Sequence, residues 1–320
     1  QSLTTNTTGQ YMTAVGAEAL KLNTTGGHNV AVGVAALYAN TEGNYNTAVG
    51  KEALEANTTG SENTAVGFET LDANTTGDNN TAYGSNALTG NTTADNNTAV
   101  GKSALSTNTT GANNTAVGSH ALSASTTVAN NTAVGYYALQ ANTTGTQNVS
   151  VGSSSSYSTT TGSYNTALGH SALYTNITGT RNTALGKNAA YYTTGDDNTS
   201  IGYFAGQYNT GSNNVNIGNF SNEVGTTGTD NVSVGLSSQR YLGTGSHNVA
   251  IGRNALHSSI SGSTGQLTGN SNTGVGRSAL YAVTSGALNT AVGGYALSSN
   301  TTANNNVAVG YNSLYLNTTG

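Results

Sequence analysis

Residues 46 to 62 read Asn46-Thr47-Ala48-Val49-Gly50-Lys51-Glu52-Ala53-Leu54-Glu55-Ala56-Asn57-Thr58-Thr59-Gly60-Ser61-Glu62, and Asn63 begins the phrase again. Aligned on the glycine that closes T-A-V-G, the unit recurs at Gly16, Gly33, Gly50, Gly67, Gly84, Gly101, Gly118, Gly135, Gly152, Gly169, Gly186, Gly202, Gly218, Gly235, Gly252, Gly276, Gly293 and Gly310. Fourteen of the 17 intervals are 17 residues, two are 16, and the one from Gly252 to Gly276 is 24. Self-similarity at a fixed short period is the signature of a solenoid, in which each unit touches only its neighbours.

The stretch Lys51 to Ala56 has helical propensity, but Gly50 and the Asn57-Thr58-Thr59-Gly60 loop bound it within about six residues, too few for a stable helix. Thr47-Ala48-Val49 alternates with period two. The unit therefore reads as two short strands, N-T-A-V-G and x-A-L-x, with positive φ expected in the N-T-T-G loop. Burying one Val and one Leu is worth about 3–6 kcal/mol, while fixing the backbone costs roughly 1–2 kcal/mol per residue, so no turn folds alone. The fold class expected is all-β, a parallel β-solenoid (β-roll) of about 18 turns over one repeat domain, residues 1–320. Val32, Val49, Val66, Val100 and Val117 are expected as one inner core row, with Leu20, Leu37, Leu54, Leu71 and Leu105 as a second. Asn46, Asn63, Asn80, Asn97, Asn114 and Asn131 would lie in register as an amide ladder. Ala48 and Gly50, with their counterparts Ala65 and Gly67, Ala99 and Gly101, Ala116 and Gly118, would then face outward as a bare strip suited to a homo-oligomeric interface.

The pattern weakens over residues 187–252, where Ala190, Gly206, Asn222 and Gln239 take the leucine phase and Phe204 and Phe220 appear two positions earlier; a locally repacked core is expected there. The insertion around 257–269 reads as a protruding loop. The chain opens on Gln1 with Met12 as its single methionine, which reads as a processed or truncated product. It starts and stops within repeats without a polar cap, so either it is a segment of a longer fibre or its subunits stack end to end.

Composition narrows function. With 8 basic and 13 acidic side chains, a net charge of −5 and no cysteine, the chain lacks the basic surface of a nucleic-acid binder, disulfides, thiolate zinc sites and thiol nucleophiles. No window holds the roughly 18 consecutive apolar residues of a membrane helix. Gly101-Lys102-Ser103 matches the end of a phosphate-binding loop, yet Asn96 stands where the first glycine is required. The histidines are His28, His120, His170, His247 and His257, and only His28 and His247 share a repeat phase. Asp78-Asn79-Asn80, Asp95-Asn96-Asn97 and Asp196-Asp197-Asn198 could offer calcium oxygens, but turn chemistry is the better reading. Ser153 to Ser156 has no base and orienting acid nearby in sequence. No catalytic, metal or cofactor site is expected.

The N-T-A-V-G-x-x-A-L unit resembles the N-S-V-A-I-G-x-x-S-x-A head repeats of YadA-like trimeric autotransporter adhesins, and is closer still to the N-T-A-V-G-Y-x-A-L-x-x-N-T-T-G arrays of tail-fibre-type proteins. The resemblance covers essentially the whole chain and implies a left-handed β-roll, three chains about one axis, and an extracellular, cell-surface or virion-surface location. It departs from the adhesins in having 17 rather than 14 residues per turn. The function expected is that of a non-enzymatic structural protein of an extracellular fibre or filament, a surface appendage or adhesin stalk, with a phage tail fibre as the alternative. Its partners would be copies of itself, as a trimer or an end-to-end filament, and a cell-surface glycan or receptor, without nucleic acid or membrane insertion. Asn6, Asn23, Asn57, Asn74, Asn91, Asn108, Asn142, Asn176, Asn300 and Asn317 each open an N-x-T/S acceptor in the loop and are candidates for a ridge of N-linked sugars, although turn chemistry alone explains them. Tyr38, Tyr174, Tyr281 and Tyr315 after the leucine, and Tyr136, Tyr203 and Tyr311 after the glycine, could stack on sugars or on the neighbouring turn. Ice binding is a further class for a threonine-rich solenoid, but Thr58 and Thr59 are adjacent in a loop and cannot both face outward. A polysaccharide-degrading β-helix enzyme would need paired carboxylates, and those here are scattered.

Overall fold

The computed structural model describes residues 1–258 and 266–318. Its 18 strands are three residues each, one per repeat, and no helix occurs among the described residues. The chain is all-β and each of its two compact units, Gln1–Thr161 and Gly162–Gly320, is a parallel β-solenoid. Unit 1 carries β1 (Thr13–Val15) to β9 (Val149–Val151), and unit 2 carries β10 (Thr166–Leu168) to β18 (Val307–Val309). Within a unit each strand pairs in parallel with the next at the same register, as in Thr47↔Thr64, Ala48↔Ala65 and Val49↔Val66. The two 16-residue turns keep that register, with Thr183↔Thr199↔Val215, because the missing residue comes out of the N-T-T-G loop, which reads Thr193-Thr194-Gly195 and Asn209-Thr210-Gly211. Of the insertion expected at 257–269, residues 259–265 lie outside the described residues. On its far side Leu267 is fully buried and bridges to Leu242.

The interior differs from the expected one. Ala31, Ala48, Ala65, Ala99 and Ala116, at the strand centres, are wholly buried, whereas Val32, Val49, Val66, Val100 and Val117 lie on the outer side and are part-exposed. The valine row is thus not part of the core, and the bare Ala/Gly strip does not face outward. The cause is the width of the turn. Leu20, Leu37, Leu54, Leu71 and Leu105 are fully buried, and each already spans the interior, leaving room opposite for an alanine methyl only.

The second expected strand is also absent: Gly50 to Ala56 is a run of turns. Glu52 and Leu54 both take left-handed backbone, φ 58° and 53°, and this lets successive amides reach in opposite directions along the stack. Glu52 N–H donates back to Val34 O at 2.9 Å, and Leu54 N–H donates forward to Thr70 O at 3.0 Å. The third left-handed position is Glu62, φ 59°, rather than any residue of N-T-T-G. At Gly60 a Cβ would lie 2.5 Å from Asn57 Oδ1, a crowding that the turns with Ala94 and Ala303 at this phase accommodate.

In unit 2 the aliphatic interior is interrupted. Between Ala190 and Leu242 the leucine phase holds Gly206, Asn222 and Gln239 while the strand centres grow to Ser200, Asn216 and Ser233, all buried. The exchange is partly compensatory. A Cβ on Gly206 would sit 2.4 Å from Ser200 Oγ and 2.8 Å from Asn216 Nδ2, so the larger strand residue occupies the space the leucine gives up. Ser221 Oγ donates to Ser233 O at 2.8 Å, and Ser233 pairs with Gln239.

Candidate interaction surface

Two asparagine columns fix the geometry of every face. In the first, the Asn before the strand accepts the backbone N–H of its counterpart one turn on, as Asn46 Oδ1 does from Asn63 at 3.0 Å, and donates Nδ2 to a carbonyl of the following loop, as Asn63 does to Gly77 O and Asn80 to Ala94 O, both at 2.8 Å. Acceptor and donor of a buried amide are both satisfied along the axis, which is why an amide recurs at this site. The second column consists of the loop asparagines. Asn57 Nδ2 donates to Asn40 Oδ1 and to Gly60 O, both at 2.9 Å.

This second column overturns the expected sugar ridge. Asn23, Asn57, Asn74, Asn91, Asn108, Asn142, Asn176 and Asn300 are fully buried, their amides facing inward. A glycan on Nδ2 would replace a donated hydrogen and need space the stack does not have. Asn6 is exposed and Asn317 part-exposed, so they do not share this constraint. The first loop threonines are engaged too: Thr58 Oγ1 donates to Thr75 O at 2.9 Å and Thr75 Oγ1 to Thr92 O at 2.9 Å.

The sheet presents two columns outward. In unit 1 the first is Thr13, Val30, Thr47, Thr64, Thr81, Thr98, Thr115, Thr132 and Val149, and the second is valine at every turn except Tyr83. Neither column contains a charge. Unlike the first threonine of an N-T-T-G loop, such as Thr58, the strand threonines from Thr47 to Thr132 make no hydrogen bond through their hydroxyls to any described residue. In unit 2 the same face carries threonine and valine in its first column, Thr166, Thr183, Thr199, Thr273 and Thr290 among them, and aliphatic residues alone in its second. Leu168, Leu185, Ile201, Ile217, Val234 and Ile251 form its second column, with Leu168 46% and Ile251 41% exposed. Alternation within T-A-V established that Thr and Val share a face; which face was missed, and the paired size changes at Ser200/Gly206 and Asn216/Asn222 are the signal that could have revealed it.

Charges are confined to the turns. Arg181 holds Asp197 bidentately, Nε to Oδ1 at 2.6 Å and Nη2 to Oδ2 at 2.8 Å, and this keeps the Asp197 carboxyl below its usual range. Burial, followed by the neighbouring Glu52 and Asp72, pushes Glu55 up; burial likewise raises Asp72, against the hydrogen bond from Thr89 Oγ1 at 2.7 Å. Asp78 and Asp95 spend a carboxylate oxygen on backbone amides of the preceding turn, Ser61 N–H at 2.6 Å and Asp78 N–H at 2.8 Å, and Asp196 accepts from Thr180 N–H at 2.7 Å. Among the described residues no group of three or more His, Cys, Asp or Glu converges on a point.

The aromatic side chains form columns of their own. His28 lies between Tyr11 and Tyr45 at centroid distances of 4.9 and 4.7 Å; Tyr174 stacks on Tyr191 at 4.8 Å and Tyr192 on Tyr208 at 4.9 Å. These rings cover one another. In unit 2, Tyr281, Tyr295 and Tyr315 line an open groove of about 270 Å³ with Asn254, Ser278 and Ser298. At its edge His257 stacks on Tyr281 at 5.0 Å, and burial, then the Arg240 charge, lowers its pKa to about 4. Compared with known proteins, the chain matches no family model and no curated sequence.

Proposed function

We propose that the chain is a non-enzymatic structural protein of an extracellular fibre or filament, a surface appendage or adhesin stalk, in which the outer sheet face makes contact with further copies. The observation that carries this reading is the solvent-facing aliphatic column Leu168, Leu185, Ile201, Ile217, Val234 and Ile251 on a weakly charged surface. A contiguous apolar file of this kind gains free energy when a partner removes it from water, and side chains in strict register suit a repetitive partner. The resemblance to adhesin head repeats supports the same reading. A phage tail fibre is the second reading, favoured by Asn131-Thr132-Ala133-Val134-Gly135-Tyr136-Tyr137-Ala138-Leu139-Gln140-Ala141-Asn142-Thr143-Thr144-Gly145, which follows the tail-fibre phrase residue for residue. On either reading the partners are copies of the chain, as a trimer or an end-to-end filament, and a surface glycan at the tyrosine groove.

The test is light scattering with electron microscopy of the purified chain and of Leu185→Lys. The reading expects multimers or filaments from the parent chain and their loss in the variant, with the far-UV spectrum unchanged. A parent chain that stays monomeric at every concentration contradicts it.

A further inference from the structure

We infer that the outer face of unit 1 is an ice-binding plane, an activity separate from the structural role proposed above. The argument begins with the strand threonines. Thr47, Thr64, Thr81, Thr98, Thr115 and Thr132 follow one another turn by turn at the same register, and beside them run Val49, Val66, Val100, Val117 and Val134. The alternation of the strand puts both columns on one side of the sheet, and burial of Ala48, Ala65, Ala82, Ala99, Ala116 and Ala133 fixes that side as the outer one. The sheet sets the dimensions of the array: about 4.8 Å between turns and about 6.7 Å between the Thr and Val columns along each strand. Oxygen repeats of similar size occur on the prism plane of hexagonal ice.

The chemistry fits the same ligand. The hydroxyls of these threonines have no partner among the described residues, in contrast to loop threonines such as Thr58, whose hydroxyls are committed to the next turn. Each hydroxyl is flanked by methyl groups and neither column carries a charge, so first-layer water is held by hydroxyls in a fixed lattice and is not drawn into the hydration shells of ions. The asparagine ladders beneath hold the spacing rigidly. Thr58 and Thr59, whose adjacency argued against ice binding, are in the loop and take no part in this plane. One residue interrupts it: Tyr83, 58% exposed, stands up from the valine column between Val66 and Val100.

That interruption makes the inference testable in both directions. Thermal hysteresis and partition into slowly growing ice are measured for the parent chain and for Thr115→Lys, Thr58→Lys and Tyr83→Val, with circular dichroism melts showing that each variant is folded. The expected result is measurable hysteresis and uptake into ice for the parent chain, loss of both in Thr115→Lys, no change in Thr58→Lys, and a gain in Tyr83→Val as the two flat tracts join. A parent chain excluded from ice like an inert globular protein overturns the inference, as does equal loss in Thr115→Lys and Thr58→Lys. Because assembly is read by scattering and imaging, failure here leaves the fibre reading standing, and failure of the fibre reading leaves this one standing.

Discussion

Leu256 occupies the space that a side chain on Gly274 would need: a Cβ on Gly274 would lie 2.2 Å from Leu256 Cδ1. Gly274 is at the centre of its strand, one turn after Leu256, and both point into the core of unit 2. The interior is one leucine wide. Because Leu54 and Ala65 share the same space in unit 1, Gly274→Ala should be accommodated by a shift of the Leu256 side chain and cost less than about 1 kcal/mol, read from the denaturation midpoint.

The same geometry separates two aliphatic columns that look alike in sequence. Leu105→Ala should cost about 2–5 kcal/mol, because the side chain is wholly buried and its neighbours above and below are leucines that cannot collapse into the void. Val117→Ala, on the outer face, should cost less than about 1 kcal/mol. Equal losses in the two variants' urea midpoints would place Val117 in the core.

The loop ladder breaks at Ser125. Asn108 Oδ1 has no hydrogen-bond partner because the residue above it is Ser125, whose hydroxyl donates instead to Asn142 O at 2.9 Å. Val128 stands at the phase of Gly60, where Ala94 carries a Cβ beside an Asn91 that keeps its place in the ladder. The double variant Ser125→Asn/Val128→Gly should restore the ladder and gain about 1 kcal/mol, whereas Val128→Gly alone should lose stability. Thermal melts of the two variants decide the matter.

Glu62 is held in left-handed backbone, φ 59°, at the phase where the following turns use Asn79, Asn96, Asn113 and Asn130. Asparagine tolerates this conformation better than glutamate, so Glu62→Asn should stabilise unit 1 by about 0.5–1 kcal/mol, seen as a raised melting temperature. A lowered one would mean that the Glu62 side chain has a role its exposure does not suggest.

His257 is kept neutral by burial and by the Arg240 charge, with a folded pKa of about 4 against an ordinary 6.5. The unfolded chain takes up the proton first. Its contribution to the stability of unit 2 is therefore complete above about pH 6.5 and declines as the pH falls towards 4. Chemical denaturation at pH 7 and pH 4.5 should show a fall in midpoint that is smaller in His257→Phe.

Much of the architecture was legible because the period is strict. A unit of 17 residues punctuated by Gly50 and Gly60 leaves no length for a helix and requires neighbours to satisfy its backbone, and the in-register asparagines follow from the same repetition. Which side of Thr47-Ala48-Val49 faces inward was not legible from apolar size alone: Val49 is the better core residue in isolation, but Leu54 fills the interior first. The loop asparagines were misplaced for a related reason. Asn-Thr-Thr-Gly has the composition of a surface turn, and only stacking shows that Asn40, Asn57 and Asn74 bond to one another inside it. Left-handed backbone at Leu54 carried no sequence signal, because leucine is not a residue that usually accepts it.

The orientation of the strand decides both the fibre contact and the ice plane, and the absence of native cysteine allows a direct measurement of it. Single cysteines at Ala116 and Val117 are treated with a maleimide under native conditions. Val117→Cys is expected to react at the rate of an exposed thiol, and Ala116→Cys only after the solenoid is unfolded. Rapid labelling of Ala116→Cys together with protection of Val117→Cys would contradict the account.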